Sequence, residues 1–127
     1  MIPKRLITTW ICDKATGRDS YQERHKETFS RCLDSWHRLM PDYDIKIVSF
    51  DTILKHGTDS WIEARLEEGN WIGASQWARL FWLQKLGGIY MDMDVLAVKR
   101  FDELLGNAFF CGHEGGDPFP IVLRLEK

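Results

Sequence analysis

Two adjacent glycines, Gly87 and Gly88, separate two stretches of different periodicity, and no other feature constrains the fold of this chain as much. From about Gly73 to Leu86, residues Trp77, Ala78, Phe81, Trp82 and Leu86 recur at helical spacing, and Leu80 and Leu83 widen the apolar face. The spacing predicts a helix, and a helix this apolar is expected to be mostly buried. Glycine adopts a left-handed turn at little steric cost, so Gly87-Gly88 ends that helix. Ile89 to Met91 then predicts a buried strand, and it runs directly into two acids, Asp92 and Asp94.

The rest of the chain fits an α/β layer arrangement around that unit. Arg5 to Ile11 is β-branched and aromatic and predicts a first strand. Asp13 to Ser20 reads as a loop. Between Tyr21 and Met40, the residues Phe29, Cys32, Leu33, Trp36 and Met40 fall three or four apart and predict a helix, which Pro41 stops. Ile45, Ile47, Val48 and Phe50 predict a second strand. Ser60 followed by Glu63 matches a capping box opening a short helix that ends near Gly69. Past the acids, Val95 to Val98 reads as extended, Asp102 to Leu105 as one helical turn, Ala108 to Cys111 as a last strand, and Gly115 to Pro120 as turn-rich. The expected sheet is mixed and largely parallel, with Asp92 and Asp94 at its ligand-binding edge.

Composition narrows the function. At 127 residues, the chain fits a single domain. Seventeen basic residues against nineteen acidic ones leave a net charge of -2, which excludes a strongly basic nucleic-acid footprint. Three cysteines, Cys12, Cys32 and Cys111, are widely spaced without a C-x-x-C pair, which argues against a disulfide scaffold or zinc knuckle and for free thiols in a reducing compartment. The apolar stretch after Lys4 and Arg5 is broken at Thr8 and Thr9 and is too short for a signal peptide. No apolar run approaches a membrane span.

The acid pair carries the chemistry. In an extended chain residues i and i+2 point the same way, so Asp92 and Asp94 can converge on one cation. Two neighbouring carboxylates repel, and a hard divalent ion relieves that repulsion. Oxygen ligands favour Mg²⁺ or Mn²⁺ over zinc, and such an ion keeps positions open for a diphosphate. Open α/β sheets bind ligands beyond the carboxyl ends of their strands, where this pair falls. The same two acids also suit solvated turn residues. Arg79, inside an apolar helix, needs a partner, which Asp92 or Asp94 can be. Trp10 in the first strand suits either the core or a flat stacking partner.

The chain resembles glycosyltransferase family 32, the sugar transferases with a D-x-D motif, and most of all its bacterial members that build capsular or surface polysaccharide. Ile2-Pro3-Lys4 with Trp10, Cys32-Leu33-Asp34-Ser35-Trp36 followed by Pro41-Asp42-Tyr43, Ala74-Ser75-Gln76-Trp77-Ala78-Arg79, and Gly87-Gly88-Ile89-Tyr90-Met91-Asp92-Met93-Asp94 carry the resemblance in order. It implies a GT-A type, Rossmann-like fold and a single unit over 1–127. It also implies a retaining, metal-dependent transfer from a nucleotide diphosphate sugar, with a uridine diphosphate donor favoured and a glycan or lipid-linked glycan as acceptor. By the same resemblance Trp10 stacks on the base and Arg79 contacts donor sugar or phosphates. Asp92 faces ribose and sugar, Asp94 is the firmer ligand of Mn²⁺ or Mg²⁺, and Tyr90 and Gln76 complete the donor site. The chain is placed in the cytoplasm or peripherally at the inner face of the membrane.

Two departures stand beside the resemblance. Gln76 occupies a position where the family usually has Asp, one helical turn before Arg79, and glutamine both donates and accepts but carries no charge. The family also continues well past residue 114, so the chain is read as the nucleotide-sugar-binding half, truncated at its C-terminus with the acceptor part largely missing. His113 comes too early for the family's further metal ligand and reads as a surface histidine. Two other readings follow from the same residues. One is a donor-binding domain without transfer activity, working as a homo-oligomer or completed by a partner chain. The other is a haloacid-dehalogenase-like phosphatase with Asp92 as nucleophile and Asp94 as acid/base.

Overall fold

Three short strands run parallel in the order β2-β1-β3: β1 (Arg5–Trp10), β2 (Asp44–Ser49) and β3 (Ile89–Tyr90). The computed structural model describes residues 1–11, 24–56 and 59–112. β1 pairs with β2 from Arg5↔Asp44 to Trp10↔Ser49 and with β3 at Leu6↔Ile89 and Ile7↔Tyr90. The sheet is wholly parallel among the described residues, not mixed, and the α/β class stands.

As the central strand, β1 is covered on both faces, so Leu6, Ile7 and Thr8 in succession are each 0% exposed. Leu6 packs with Trp36 and Met40, at the end of helix α1 (Lys26–Leu39). Ile7 packs with Ala74, Ala78 and Trp82 of the long helix α4 (Trp71–Leu86), and with Ile53 and Ile62 of α2 (Phe50–Lys55) and α3 (Ser60–Glu67). The two crossovers therefore lie on opposite faces. Right-handed connections produce that arrangement when the chain moves first to one side of β1 and then to the other.

Local chemistry sets the element ends. α1 buries Phe29, Cys32, Ser35 and Trp36 and ends before Pro41, as the spacing predicts; residues 21–23 of the expected helix lie outside the described residues. Phe50 does not extend β2. Ser49 and Thr52 cap each other reciprocally, and Phe50 becomes the first residue of α2. The capping box expected at Ser60 and Glu63 is replaced by Asp59, whose carboxylate accepts the Ile62 N–H. Asn70 caps α4 through the Gly73 N–H, so that helix begins two residues earlier than expected.

α4 is less buried than its composition predicts. Only Ala74, Ala78 and Trp82 form its buried stripe, while Ile72 and Leu80 are 76% and 63% exposed. Residues 108–111 form no strand among the described residues, contrary to expectation, whereas a 3₁₀ turn does form at Asp102–Leu104. No helix among the described residues is long and apolar enough to cross a membrane. Cys32 is buried and Cys111 exposed, while Cys12, the expected loop at 13–20 and the turn-rich segment at 115–120 lie outside the described residues.

Gly87 and Gly88 have φ of 66° and 122°, and a Cβ on Gly88 would meet the Arg5 carbonyl oxygen at 2.8 Å. This close approach lets the chain leave α4 and pair at once with β1. Gly88→Ala is therefore expected to lower unfolding free energy by about 1–3 kcal/mol in urea denaturation. Gly106→Ala, where nothing lies within 4 Å of the added carbon, should stay within about 0.5 kcal/mol of wild type.

Candidate functional site

The strand order places β2 on one side of β1 and β3 on the other, and the helices that follow diverge to opposite faces. A crevice opens beyond the carboxyl ends of β1 and β3, as open parallel sheets dictate at such a switch in strand order. It is a cleft of about 320 Å³. β1 and its end contribute Thr9, Trp10 and Ile11, α1 contributes Phe29, and α4 contributes Trp71, Ile72, Ser75, Gln76 and Arg79. Tyr90, Asp92, Met93 and Asp94 close the remaining side. Trp10, Gln76, Arg79, Tyr90, Asp92 and Asp94, the six candidate residues of the sequence, all line this one cleft.

The two acids arrive there by a route the sequence does not predict. β3 ends at Tyr90, and Asp92 to Val95 form a turn closed by the Val95 N–H donating to the Asp92 carbonyl at 3.1 Å. The carboxylates thus reach the cleft through a turn, not through strand alternation. It is Tyr90 and Asp92, two apart, whose side chains meet: the phenol donates to Asp92 Oδ1 at 2.9 Å.

Asp92 Oδ1 also accepts from Arg79 Nη2 at 3.0 Å, so Asp92 is the partner the helix arginine requires. The Arg79 guanidinium lies 4.4 Å from the Tyr90 ring centroid. The Thr9 hydroxyl is 3.0 Å from the Tyr90 oxygen, and because the phenol proton goes to Asp92, Thr9 is the donor. The Arg79 and Asp92 side chains are 40% and 56% exposed, and an ion pair that wet contributes about 1 kcal/mol or less to stability. Its effect is orientation. Arg79 Nε is shielded from water and lacks a hydrogen-bond partner among the described residues.

Asp94 and Gln76 make no side-chain hydrogen bond or ion pair among the described residues. Trp10 is half-buried and meets Phe29 edge-on, with ring centroids 5.0 Å apart, so it belongs to the core and the cleft wall together. Cys32 is buried in α1; burial first, and then the negative charge of Asp94, push its thiol pKa up, which makes it a poor nucleophile. Among the described residues no three His, Cys, Asp or Glu side chains gather to hold a metal ion. The cleft offers two carboxylates. A hard cation that keeps most of its shell as water and phosphate oxygens needs no more than that, and Asp92 Oδ2 and both Asp94 oxygens are open.

Thr9, Ile11, Phe29, Trp71, Ile72 and Ser75 join the cleft without having been singled out by sequence. A usable signal lies in α4: Ile72, Ser75, Gln76 and Arg79 are spaced i, i+3, i+4 and i+7 and form a second stripe beside the buried one. Nothing comparable marks Thr9 or Phe29, whose spacing assigns them to strand and helix core. His113 lies outside the described residues.

A family model described as a glycosyltransferase sugar-binding region containing a DXD motif matches residues 26–110. No match is found among curated proteins or among solved structures.

The Tyr90 hydroxyl has a raised pKa. Burial contributes most, the adjacent Asp92 charge adds to it, and the Thr9 hydrogen bond opposes it. A group that holds its proton more tightly when folded stabilises the fold below its unfolded pKa and loses that contribution as pH rises. The Tyr43 hydroxyl is raised as well, by burial and then by its hydrogen bond to Asp102, so absorbance titration should show two phenols in wild type that ionise later than free tyrosine, and Tyr90→Phe should lose one of them. Wild-type stability should fall more steeply than that of Tyr90→Phe as pH rises through the ordinary tyrosine range.

Proposed function

The chain belongs to the family of glycosyltransferase sugar-binding regions containing a DXD motif, and on that premise we propose that it transfers a sugar from a nucleotide diphosphate donor to an acceptor hydroxyl. One observation carries the reading. Trp10, Gln76, Arg79, Tyr90, Asp92 and Asp94 line a single cleft at the switch in strand order, with Asp92 gripped by Arg79 and Tyr90 and Asp94 left open.

Asp94 and the free oxygen of Asp92 are the groups that would hold Mn²⁺ or Mg²⁺. When bound, such an ion supplies charge stabilisation for the departing diphosphate. Arg79 offers further donors to phosphate or sugar oxygens, in a fixed fork that suits them. Trp10 presents a flat indole to the base. Gln76 both donates to and accepts from sugar hydroxyls, and Asp92, held still by two donors, accepts from ribose or sugar hydroxyls. In the transfer, the bond between the anomeric carbon and the phosphate oxygen breaks and its electron pair leaves with the diphosphate. The acceptor oxygen attacks from the same face, and its proton passes to the departing phosphate oxygen, so configuration is retained. No carboxylate serves as nucleophile. Two hydrogen bonds on Asp92 Oδ1 reduce its nucleophilicity, which also disfavours the phosphatase reading.

The finer assignments belong to the same proposal. They are a GT-A type fold, membership of family 32 on its capsular or surface-polysaccharide side, a uridine diphosphate sugar as donor and a glycan or lipid-linked glycan as acceptor. The chain acts as one nucleotide-sugar-binding unit over 1–127, in the cytoplasm or at the inner face of the membrane.

Calorimetric titration with uridine diphosphate tests the donor site. Binding is expected to require Mn²⁺ and to weaken tenfold or more in Asp94→Ala, a loss of at least ~1.4 kcal/mol. Metal-dependent binding without sugar transfer or donor hydrolysis would leave a donor-binding domain. Absence of binding in every condition would remove the proposal.

A further inference from the structure

The backbone that carries Asp94 is pinned from both sides, and both pins come from far away in the sequence. Upstream, the Met91 N–H donates to the Ile7 carbonyl of β1 at 2.9 Å. Downstream, the chain is in no strand, yet two side chains of α1 hold it. The Trp36 indole N–H donates to the Val95 carbonyl at 2.8 Å. The Ala97 N–H donates to the Ser35 hydroxyl oxygen at 2.9 Å, while that hydroxyl donates its own proton to the Cys32 carbonyl at 2.6 Å.

Both α1 residues are deeply buried, Trp36 at 0% and Ser35 at 3% exposure. A buried indole N–H and a buried hydroxyl need partners, and here each has one in the loop backbone. Successive helix residues differ by about 100° in direction, so the two side chains grip the segment from different angles. Val95 ends with both backbone groups committed, its N–H to Asp92 and its carbonyl to Trp36. Asp94 is bonded directly to that fixed residue, and its carboxylate has no partner among the described residues to orient it. Its placement in the cleft is therefore set by its backbone.

We infer that Ser35 and Trp36 are positioning residues for the Asp94 carboxylate, acting through the backbone at Val95 and Ala97. The inference rests on the proposed function for what Asp94 binds, but the mechanical claim stands apart from it. It also gives the stretch Cys32-Leu33-Asp34-Ser35-Trp36 a physical task at a distance from the cleft.

The test uses Ser35→Ala, Trp36→Phe and a control, Met40→Leu, which alters an equally buried residue near the end of α1 that makes no side-chain bond to the loop. Amide hydrogen exchange and calorimetric titration with the manganese complex of uridine diphosphate are measured on all three and on wild type. Ser35→Ala and Trp36→Phe should each speed exchange at the Val95 amide about tenfold and weaken binding about tenfold, the lower end for losing support behind a metal ligand. Amides at Ala78 and Trp82 in α4 should keep their protection, and Met40→Leu should match wild type in both readouts. Unchanged Val95 exchange would overturn the inference. So would equal acceleration throughout the protein, which would mark Ser35 and Trp36 as merely structural. Wild-type-like binding by both variants would also overturn it. If wild type itself fails to bind, the proposed function fails, and Val95 exchange alone decides the positioning claim.

Discussion

Everything at the cleft depends on β1 being paired on both edges and covered on both faces. Leu6 turns to Trp36 and Met40, and Ile7 turns to Ala78 and Trp82. Each such aliphatic side chain contributes about 1.5–3 kcal/mol on burial. With β2 on one edge and β3 on the other, the connecting helices cannot share a face, and the strand ends Trp10 and Tyr90 open onto a gap between them. The cleft is a consequence of topology, lined by the ends of β1 and β3, the residues just past them, and the helix residues of α1 and α4 that face the gap.

Within the gap, Asp92 joins separate parts of the fold. Arg79 reaches it from α4 and Tyr90 from β3, and Thr9 of β1 supports Tyr90 from below. The Arg79–Asp92 ion pair is too exposed to add much stability, so the helices and sheet supply the rigidity and the polar contacts supply direction. Asp94 differs. Its side chain is open, and its backbone is fixed by β1 on one side of the turn and by α1 on the other. One carboxylate is held through its side chain and the other through its main chain.

Much of this was legible in the sequence because periodicity and glycine carry it directly. The spacing of Phe29, Cys32 and Trp36 marks α1, and Gly87-Gly88 marks the passage from α4 to β3. That the candidate residues meet in one cleft was legible because Arg79, Tyr90, Asp92 and Asp94 cluster around that passage. The boundaries at Phe50 and Ser60 were not, since each depends on which of two neighbouring polar residues takes the cap, and Ser49 and Asp59 do. The turn at Asp92 was missed because alternation holds only while a strand continues, and β3 stops at Tyr90. An all-round apolar helix does not reveal which stripe will be covered, so the exposure of Ile72 and Leu80 was hidden as well. The grip of Ser35 and Trp36 on Val95 and Ala97 joins residues about sixty positions apart through backbone atoms, and no side-chain pattern records it.

The most direct test of the account is nuclear magnetic resonance mapping of backbone and indole signals during titration with uridine diphosphate and Mg²⁺. The account predicts that shifts concentrate at Thr9, Trp10, Ser75 to Arg79 and Tyr90 to Val95, while Lys46, His56 and Lys85 on the far side of Trp82 stay unmoved. Shifts centred on those outer residues, or none at saturating ligand, would contradict it.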